Sequence, residues 1–289
     1  MGINRSRLIT SSSMTKENNI DILEDPQLVF DRIYDVVSIE LGNLCLKYPV
    51  GAIDNIEGYK IGILKKVLLT MKSLRVVIKH SKDFQTAAAI LRIIADSLSS
   101  YYLLYKKSKG EDSMLRHYLF LIDGMQDRIN GLKKINPQPN SVISIEENNK
   151  TISDMNTQIQ ESEKAVEYCK KQIFGLSIYK EHQTLIDVFL SKPKDKWKYK
   201  SLVNYDTKSP NFSWKKMYSF VYDNKDVPTF FSYLSEFAHG LSASNLIIDI
   251  TQQTFNPICV YAISLLGIIR NIVENDFSMN GVTELYNTN

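Results

Sequence analysis

Arg92 and Asp96 stand four residues apart in a stretch that is otherwise suited to burial. The run Ala87-Ala88-Ala89-Ile90-Leu91-Arg92-Ile93-Ile94-Ala95-Asp96-Ser97-Leu98 is almost wholly apolar. Residues four apart lie on one side of a helix. If that side faces inward, both charges must be hydrogen-bonded, because an unpaired buried charge is too costly. The segment therefore holds a structural ion pair or lines a polar site. A second stretch able to do chemistry is Ser235-Glu236-Phe237-Ala238-His239-Gly240. Gly240 puts His239 near a helix C-terminus, where a charged imidazole is favoured. Ser235 precedes it by four residues on the same face. His239 reads as a proton-transfer group, or as a helix cap or member of a buried network. We expect Arg92, Asp96 and His239 to meet in a polar pocket, with Ser235 as the fourth candidate. A Ser-His-Asp hydrolase is disfavoured, because the chain has neither a nucleophile elbow nor an α/β pattern.

Three weaker constellations compete with this one. Lys192, Lys194, Lys196, Lys198 and Lys200 alternate with other residues and enclose Trp197 and Tyr199. Lys196, Lys198 and Lys200 can contact phosphates while Trp197 and Tyr199 stack on bases; the alternative is a solvated loop with anchoring aromatics. Arg75 precedes His80 by five positions, one permitted spacing of the HEPN ribonuclease motif. In that motif a His serves a ribose hydroxyl as acid or base and the Arg steadies phosphate. Here Val76 follows the Arg where such motifs carry a polar residue. His117 and His182 sit beside Arg116 and Glu181 and read as exposed. Asp96 and His239 offer at most two metal ligands, and no Glu-x-x-His pair supplies the rest, so no metal or other cofactor is expected.

The bulk properties limit the classes. The chain has 289 residues, 44% hydrophobic and 23% charged, with a formal net charge of +3. That balance is ordinary for a globular protein and too weakly basic to argue for nucleic acid by itself. Cys45, Cys169 and Cys259 show neither zinc spacing nor a disulfide framework, which fits a reducing cytoplasm. Met1 to Asn18 is polar and has no secretory core, and residues 1–24 read as a disordered tail. The apolar segment Ile258–Val273 is short for a membrane span and reads as a buried core helix, so no membrane is expected.

The positioning elements are helices. Asp25-Pro26 pairs an N-cap with a proline at the first helical position. Leu28, Ile33, Val36, Val37, Leu41 and Leu44 follow at helical spacing. Further helices are predicted over Ile56–His80, Phe84–Tyr105 and Ser113–Lys134. With short connections, these four read as the first half of an antiparallel bundle, residues 25–135. Asn136-Pro137-Gln138-Pro139-Asn140 breaks the chain. Ile145, Ile152, Ile159, Val166 and Ile173 then repeat every seven residues, with Asn148, Met155, Ser162 and Cys169 between them. This narrow seam is a dimerising coiled coil or one arm of a hairpin packed on its own chain. Residues 141–190 form this heptad helix and hairpin, 191–213 a basic surface loop, 214–276 the C-terminal helices that complete the bundle, and 277–289 a tail. The fold is expected to be all-α: an antiparallel helical bundle with a projecting helical hairpin.

The stretch Ala88 to Asp96, continuing into Tyr101-Tyr102-Leu103-Leu104-Tyr105, resembles the leucine-arginine-serine-leucine-x-glutamate helix of the DUF5677 family. Tyr233-Leu234-Ser235-Glu236-Phe237-Ala238-His239-Gly240 is similar to its second signature. The resemblance spans roughly Ile56 to Asn245, with the heptad helix as an insertion. It matches Arg92, Asp96, Ser235 and His239, with Asp96 one methylene shorter than the usual Glu. It implies a HEPN-like helical bundle of the kind found in prokaryotic toxins and phage defence. Two functions follow as expectations. One is a cytoplasmic bacterial effector acting on RNA as a metal-independent ribonuclease, with Arg92 on phosphate, His239 moving protons and the lysine loop holding RNA. The other is a non-catalytic module that uses the heptad helix to form a homodimer or dock a partner.

Overall fold

In the computed structural model, the described residues are 24–48, 53–140, 142–191, 198–200, 212–222, 226–238 and 252–277. Ten α-helices and no strand occur among them. Asp25 caps α1 (Pro26–Lys47) by accepting from the Gln27 amide at 3.0 Å. Asn55 caps α2 (Ile56–Val76) through the Gly58 amide. Each cap satisfies an amide that has no partner within its own helix. α2 widens into a π-helical turn over 77–81, and Lys82, in the left-handed region at φ 51°, ends it. Asp83 then caps α3 (Phe84–Tyr101). α3 also ends in a π-helical stretch, over 102–107. Gly110, at φ +55°, takes the backbone where an L side chain is strained and opens α4 (Gly110–Leu132).

The remaining helices are α5 (Ile145–Gly175), α6 (Ser177–Glu181), α7 (Gln183–Leu190), α8 (Trp214–Val221), α9 (Asp226–Ala238) and α10 (Asn256–Asp276). A reciprocal capping box between Ser144 and Glu147 starts α5. α3 with its π-helical stretch, and α10, are each long and apolar enough to cross a membrane. Both contribute heavily to the packed interior.

Two apolar cores divide the chain differently from the expected four-helix half-bundle. In the first, α1, α2 and α3 pack with α9, α10 and Tyr218 of α8. Leu44, Leu64, Leu91 and Leu265 are among its fully buried residues. α4 packs instead in the second core, where Leu115, Leu119 and Ile122 meet Val166, Cys169 and Ile173 of α5, Ile186 of α7 and Tyr199. α1 finds its neighbour in α10 at the other end of the sequence. Helical periodicity identifies an apolar stripe without saying which other stripe covers it.

The heptad helix behaves as a hairpin arm over its second half. The Ile178 amide, just past α5, donates to Glu111 at the start of α4 (2.9 Å). Arg128 and Lys133, at the end of α4, reach Gln158 and Glu163. α5 therefore runs antiparallel to α4, and its first turns extend past the end of α4. At 1.5 Å per residue, α5 is about 12 Å longer than α4. Val166 and Ile173 are buried, whereas Ile145 is 70% and Ile152 36% exposed.

Gly42 and Gly267 lie mid-helix in α1 and α10 on exposed faces, and a Cβ at either position meets nothing within 4 Å. Replacing either with Ala removes backbone freedom from the unfolded chain alone, and should raise the unfolding free energy by about 0.5–1 kcal/mol each. Urea denaturation checks this; a loss of stability would show that these helix faces are covered.

Candidate functional site

Arg92 and Asp96 form the expected pair, with Arg92 Nε donating to Asp96 Oδ1 at 2.9 Å. The same carboxylate oxygen accepts from the Tyr218 hydroxyl at 2.5 Å. Arg92 Nη1 also donates to the Phe231 carbonyl of α9 at 3.4 Å. One residue pair on α3 thereby holds both α8 and α9. The guanidinium lies 5.3 Å from the Tyr218 ring centroid and 5.9 Å from that of Trp214. These are distances at which a cation is drawn to an aromatic face. The Arg92 side chain is 11% exposed and that of Asp96 28%.

Lys200, expected in a phosphate-binding loop, instead joins this cluster. Lys200 lies 3.9 Å from the Trp214 ring centroid and close enough to Asp96 for their charges to interact. Burial pushes its amine down to about 8; Asp96 opposes that shift and Arg92 adds to it. Burial raises the Asp96 carboxyl above its usual range, while Tyr218, Arg92 and Lys200 pull it back. Trp214 and Tyr218 stand four apart on α8, so their shared face was a signal in the sequence.

Of the basic segment only Lys198–Lys200 lie among the described residues, and there neither lysine is free in solvent. Lys198, Tyr199 and Lys200 form a short 3-10 turn and are 1%, 1% and 4% exposed. Lys198 Nζ donates to Asp123 Oδ1 at 3.0 Å and Gln126 Oε1 at 3.1 Å. The Tyr199 hydroxyl shares a hydrogen bond with Ser100, and its carbonyl accepts from Arg116 at 2.6 Å. Tyr199 is an apolar anchor that carries both flanking lysines out of water. Asp123 and Asp96, distant in sequence, supply the compensating charge. Lys196 and Trp197 lie outside the described residues.

His239 also lies outside the described residues. Ser235 is half-buried on α9, one turn beyond the carbonyl that Arg92 reaches. No hydrogen bond joins it to Arg92 or Asp96 among the described residues. Of the Arg75–His80 constellation, Arg75 is held by Asp31 and Asp35 of α1, and His80 is exposed on the π-helical turn. His117 corrects the expectation of exposure. It is fully buried between the Tyr105 hydroxyl (2.8 Å) and the Ile53 carbonyl (3.0 Å), and burial lowers its pKa. His182 is half-buried at the junction of α6 and α7. No group of three metal-binding side chains occurs among the described residues. Cys169 and Cys259 are buried free thiols pushed up to about 12 by burial, which suppresses thiolate chemistry.

The fold and this polar cluster define a class, an all-α bundle with an internally bonded Arg–Asp–Tyr centre. No family model, curated protein or solved structure matches the chain.

Asp96→Asn should cost about 2–3 kcal/mol of stability in urea denaturation, because Arg92 would remain buried without its counter-charge. A cost below about 0.5 kcal/mol, the range of a neutral surface change, would mean that the cluster does not hold the packing. Lys200 carries a pH signature. Its folded pKa of about 8 lies below the usual 10.5. Between those values the unfolded chain binds more protons, so stability due to this group rises with pH. Cys169 and Cys259 act in the opposite direction above pH 9. Subtracting Lys200→Met from wild type isolates the lysine: the difference should shift in favour of wild type from pH 8 to 10. A flat difference would show that Lys200 is hydrated.

Proposed function

We propose that the protein is a non-catalytic helical interaction module that self-associates through the first half of α5. The Arg92–Asp96–Tyr218 cluster fixes the packing of α3 against α8 and α9. The observation that carries this reading is the heptad seam that continues past the end of α4. Ile145 and Ile152 repeat the register of the buried Val166 and Ile173 but remain in water. Ile135, Val142 and Ile143 of the α4–α5 connection are also exposed. The occupant favoured is a second copy. The positions flanking Ile145 and Ile152 are Asn149, Thr151 and Asn156, all uncharged. A matching helix can approach without meeting like charges, in either direction. The cluster supports a structural role, because its Arg is largely enclosed and its carboxylate already bonds two donors.

Sedimentation of the full chain should show a dimer at high micromolar concentration. The double variant Ile145→Ser, Ile152→Ser should be a monomer with unchanged helicity. A monomeric wild type, or a dimer unaffected by the substitutions, would overturn the proposal.

A second reading rests on one specific observation: Asp96 is more than a quarter exposed beside two cations, Arg92 and Lys200. Under it the protein is an RNA-acting effector of a prokaryotic defence or toxin system, with Arg92 on phosphate and His239 moving protons. Bacterial growth and total RNA separate the readings. Toxicity with RNA cleavage, lost in folded Arg92→Lys and His239→Ala variants, would support the effector. Harmless wild type with intact RNA would leave the interaction module.

A further inference from the structure

The stretch from Tyr59 to Ala95 carries eight Lys and Arg side chains against a single carboxylate, Asp83. That carboxylate is engaged as the cap of α3, through the Thr86 amide and hydroxyl. α2, the π-helical turn after it and α3 pack together, so the imbalance belongs to one piece of the fold. Three of the cations are neutralised. Lys60 pairs with Glu57, Arg75 with Asp31 and Asp35 of α1, and Arg92 with Asp96. Lys65, Lys72, Lys79 and Lys82 are exposed, and none of them pairs with a carboxylate among the described residues. Lys66 is exposed at the edge of this face, toward Asp127 of α4.

The lysines are interleaved with aliphatic side chains. Lys65, Leu69, Lys72 and Val76 follow at intervals of four, three and four residues, so they share one side of α2 over about 17 Å of its axis. Leu69 is 57% and Val76 51% exposed. The opposite side of the helix is closed, with Leu64, Leu68, Met71 and Leu74 in the first core. Thr70 and Ser73 turn their hydroxyls back onto the Lys66 and Leu69 carbonyls of their own helix. The outer side therefore presents ammonium groups and aliphatic carbon, with little other polar chemistry. Lys79, His80 and Lys82 continue its exposed basic character past the end of α2.

We propose that this outer side of α2 docks on an anionic phospholipid surface. Leu69 and Val76 enter the boundary between headgroups and acyl chains, and the ammonium groups of Lys65, Lys72, Lys79 and Lys82 contact lipid phosphates. An anionic bilayer answers both features of the stripe, because lysines are drawn to its headgroups while aliphatic side chains leave water. Long lysine stems let the charge stay at the headgroups as the aliphatic residues sit deeper. A nucleic acid answers only the charge. Between Lys65 and Val76 there is no aromatic ring to stack on a base, and the one arginine, Arg75, is already bonded to two carboxylates. A phosphate backbone would also set Leu69 and Val76 against polar atoms. The contact is peripheral and needs no spanning helix. It is independent of self-association through α5, because no residue of α5 belongs to this face.

Flotation of the full chain with lipid vesicles tests the proposal, using phosphatidylcholine alone and an equal mixture of phosphatidylcholine and phosphatidylglycerol. The chain should float with the mixture and stay behind with phosphatidylcholine alone. A lysine near an anionic surface is worth roughly fivefold in partitioning, so the triple variant Lys65→Gln, Lys72→Gln, Lys79→Gln should bind about a hundredfold more weakly. The double variant Leu69→Ser, Val76→Ser keeps every charge and should bind about tenfold more weakly, through the lost aliphatic burial alone. All five positions are exposed, so circular dichroism should show unchanged helicity in both variants. Absence of flotation with the mixture would overturn the proposal, as would equal flotation with phosphatidylcholine alone or a folded lysine variant that floats like wild type. A serine variant that floats like wild type would also overturn it, because the face would then be a general polyanion contact. So would tighter binding to duplex DNA or single-stranded RNA than to the mixed vesicles, which would assign the face to nucleic acid.

Discussion

Asp96 Oδ1 accepts from both Arg92 and Tyr218, and the arrangement of α3, α8 and α9 depends on that shared oxygen. An arginine inside an apolar helix is tolerable only with a partner of fixed geometry. Asp96, one turn along, supplies the charge, but a carboxylate on the same helix cannot by itself position another element. Tyr218 carries the interaction to α8, and the Phe231 carbonyl carries it to α9. The aromatic faces of Trp214 and Tyr218 then cover the guanidinium and exclude water. The same requirement recurs in the second core, where Arg116 bonds Asp112 and the Tyr199 carbonyl, and Lys198 bonds Asp123 and Gln126.

These buried charges link the two cores. The turn Lys198–Lys200 lies between them: Lys198 belongs to α4 through Asp123, Tyr199 reaches Ser100 of α3, and Lys200 faces Trp214 of α8. Three consecutive residues thus bond to three helices. Their lysines contribute little to an external basic surface, because their charge is used internally. Among the described residues, the first turns of α5 keep Ile145 and Ile152 exposed in the register of the buried Val166 and Ile173.

The elements were readable to within a few residues because caps and periodicity are local. Asp25, Asn55, Asp83 and Ser144 each accept from an amide two or three residues on, and each marks a helix start. The π-helical stretches after α2 and α3 were not readable, since the apolar pattern continues through them. The Arg92–Asp96 pair is legible from its spacing; the aromatic face of Trp214 and Tyr218 is legible too, but not its pairing with Arg92 and Asp96, because Tyr218 and Lys200 lie more than a hundred residues away. The burial of Lys198 and Lys200 is hidden for the same reason: a lysine looks solvated until a distant carboxylate is placed beside it.

By itself the sequence determined the all-α class, the helix starts and the conflict posed by two charges on an apolar helix. Those follow from interactions spanning one to four residues. Only the tertiary structure decided that α1 pairs with α10, that α4 joins α5 in a second core, and which half of the heptad seam is covered. It also decided that the lysine turn faces inward. Each of these outcomes depends on which apolar face or opposite charge arrives from elsewhere in the chain, and burial free energy is indifferent to sequence separation once the chain has closed.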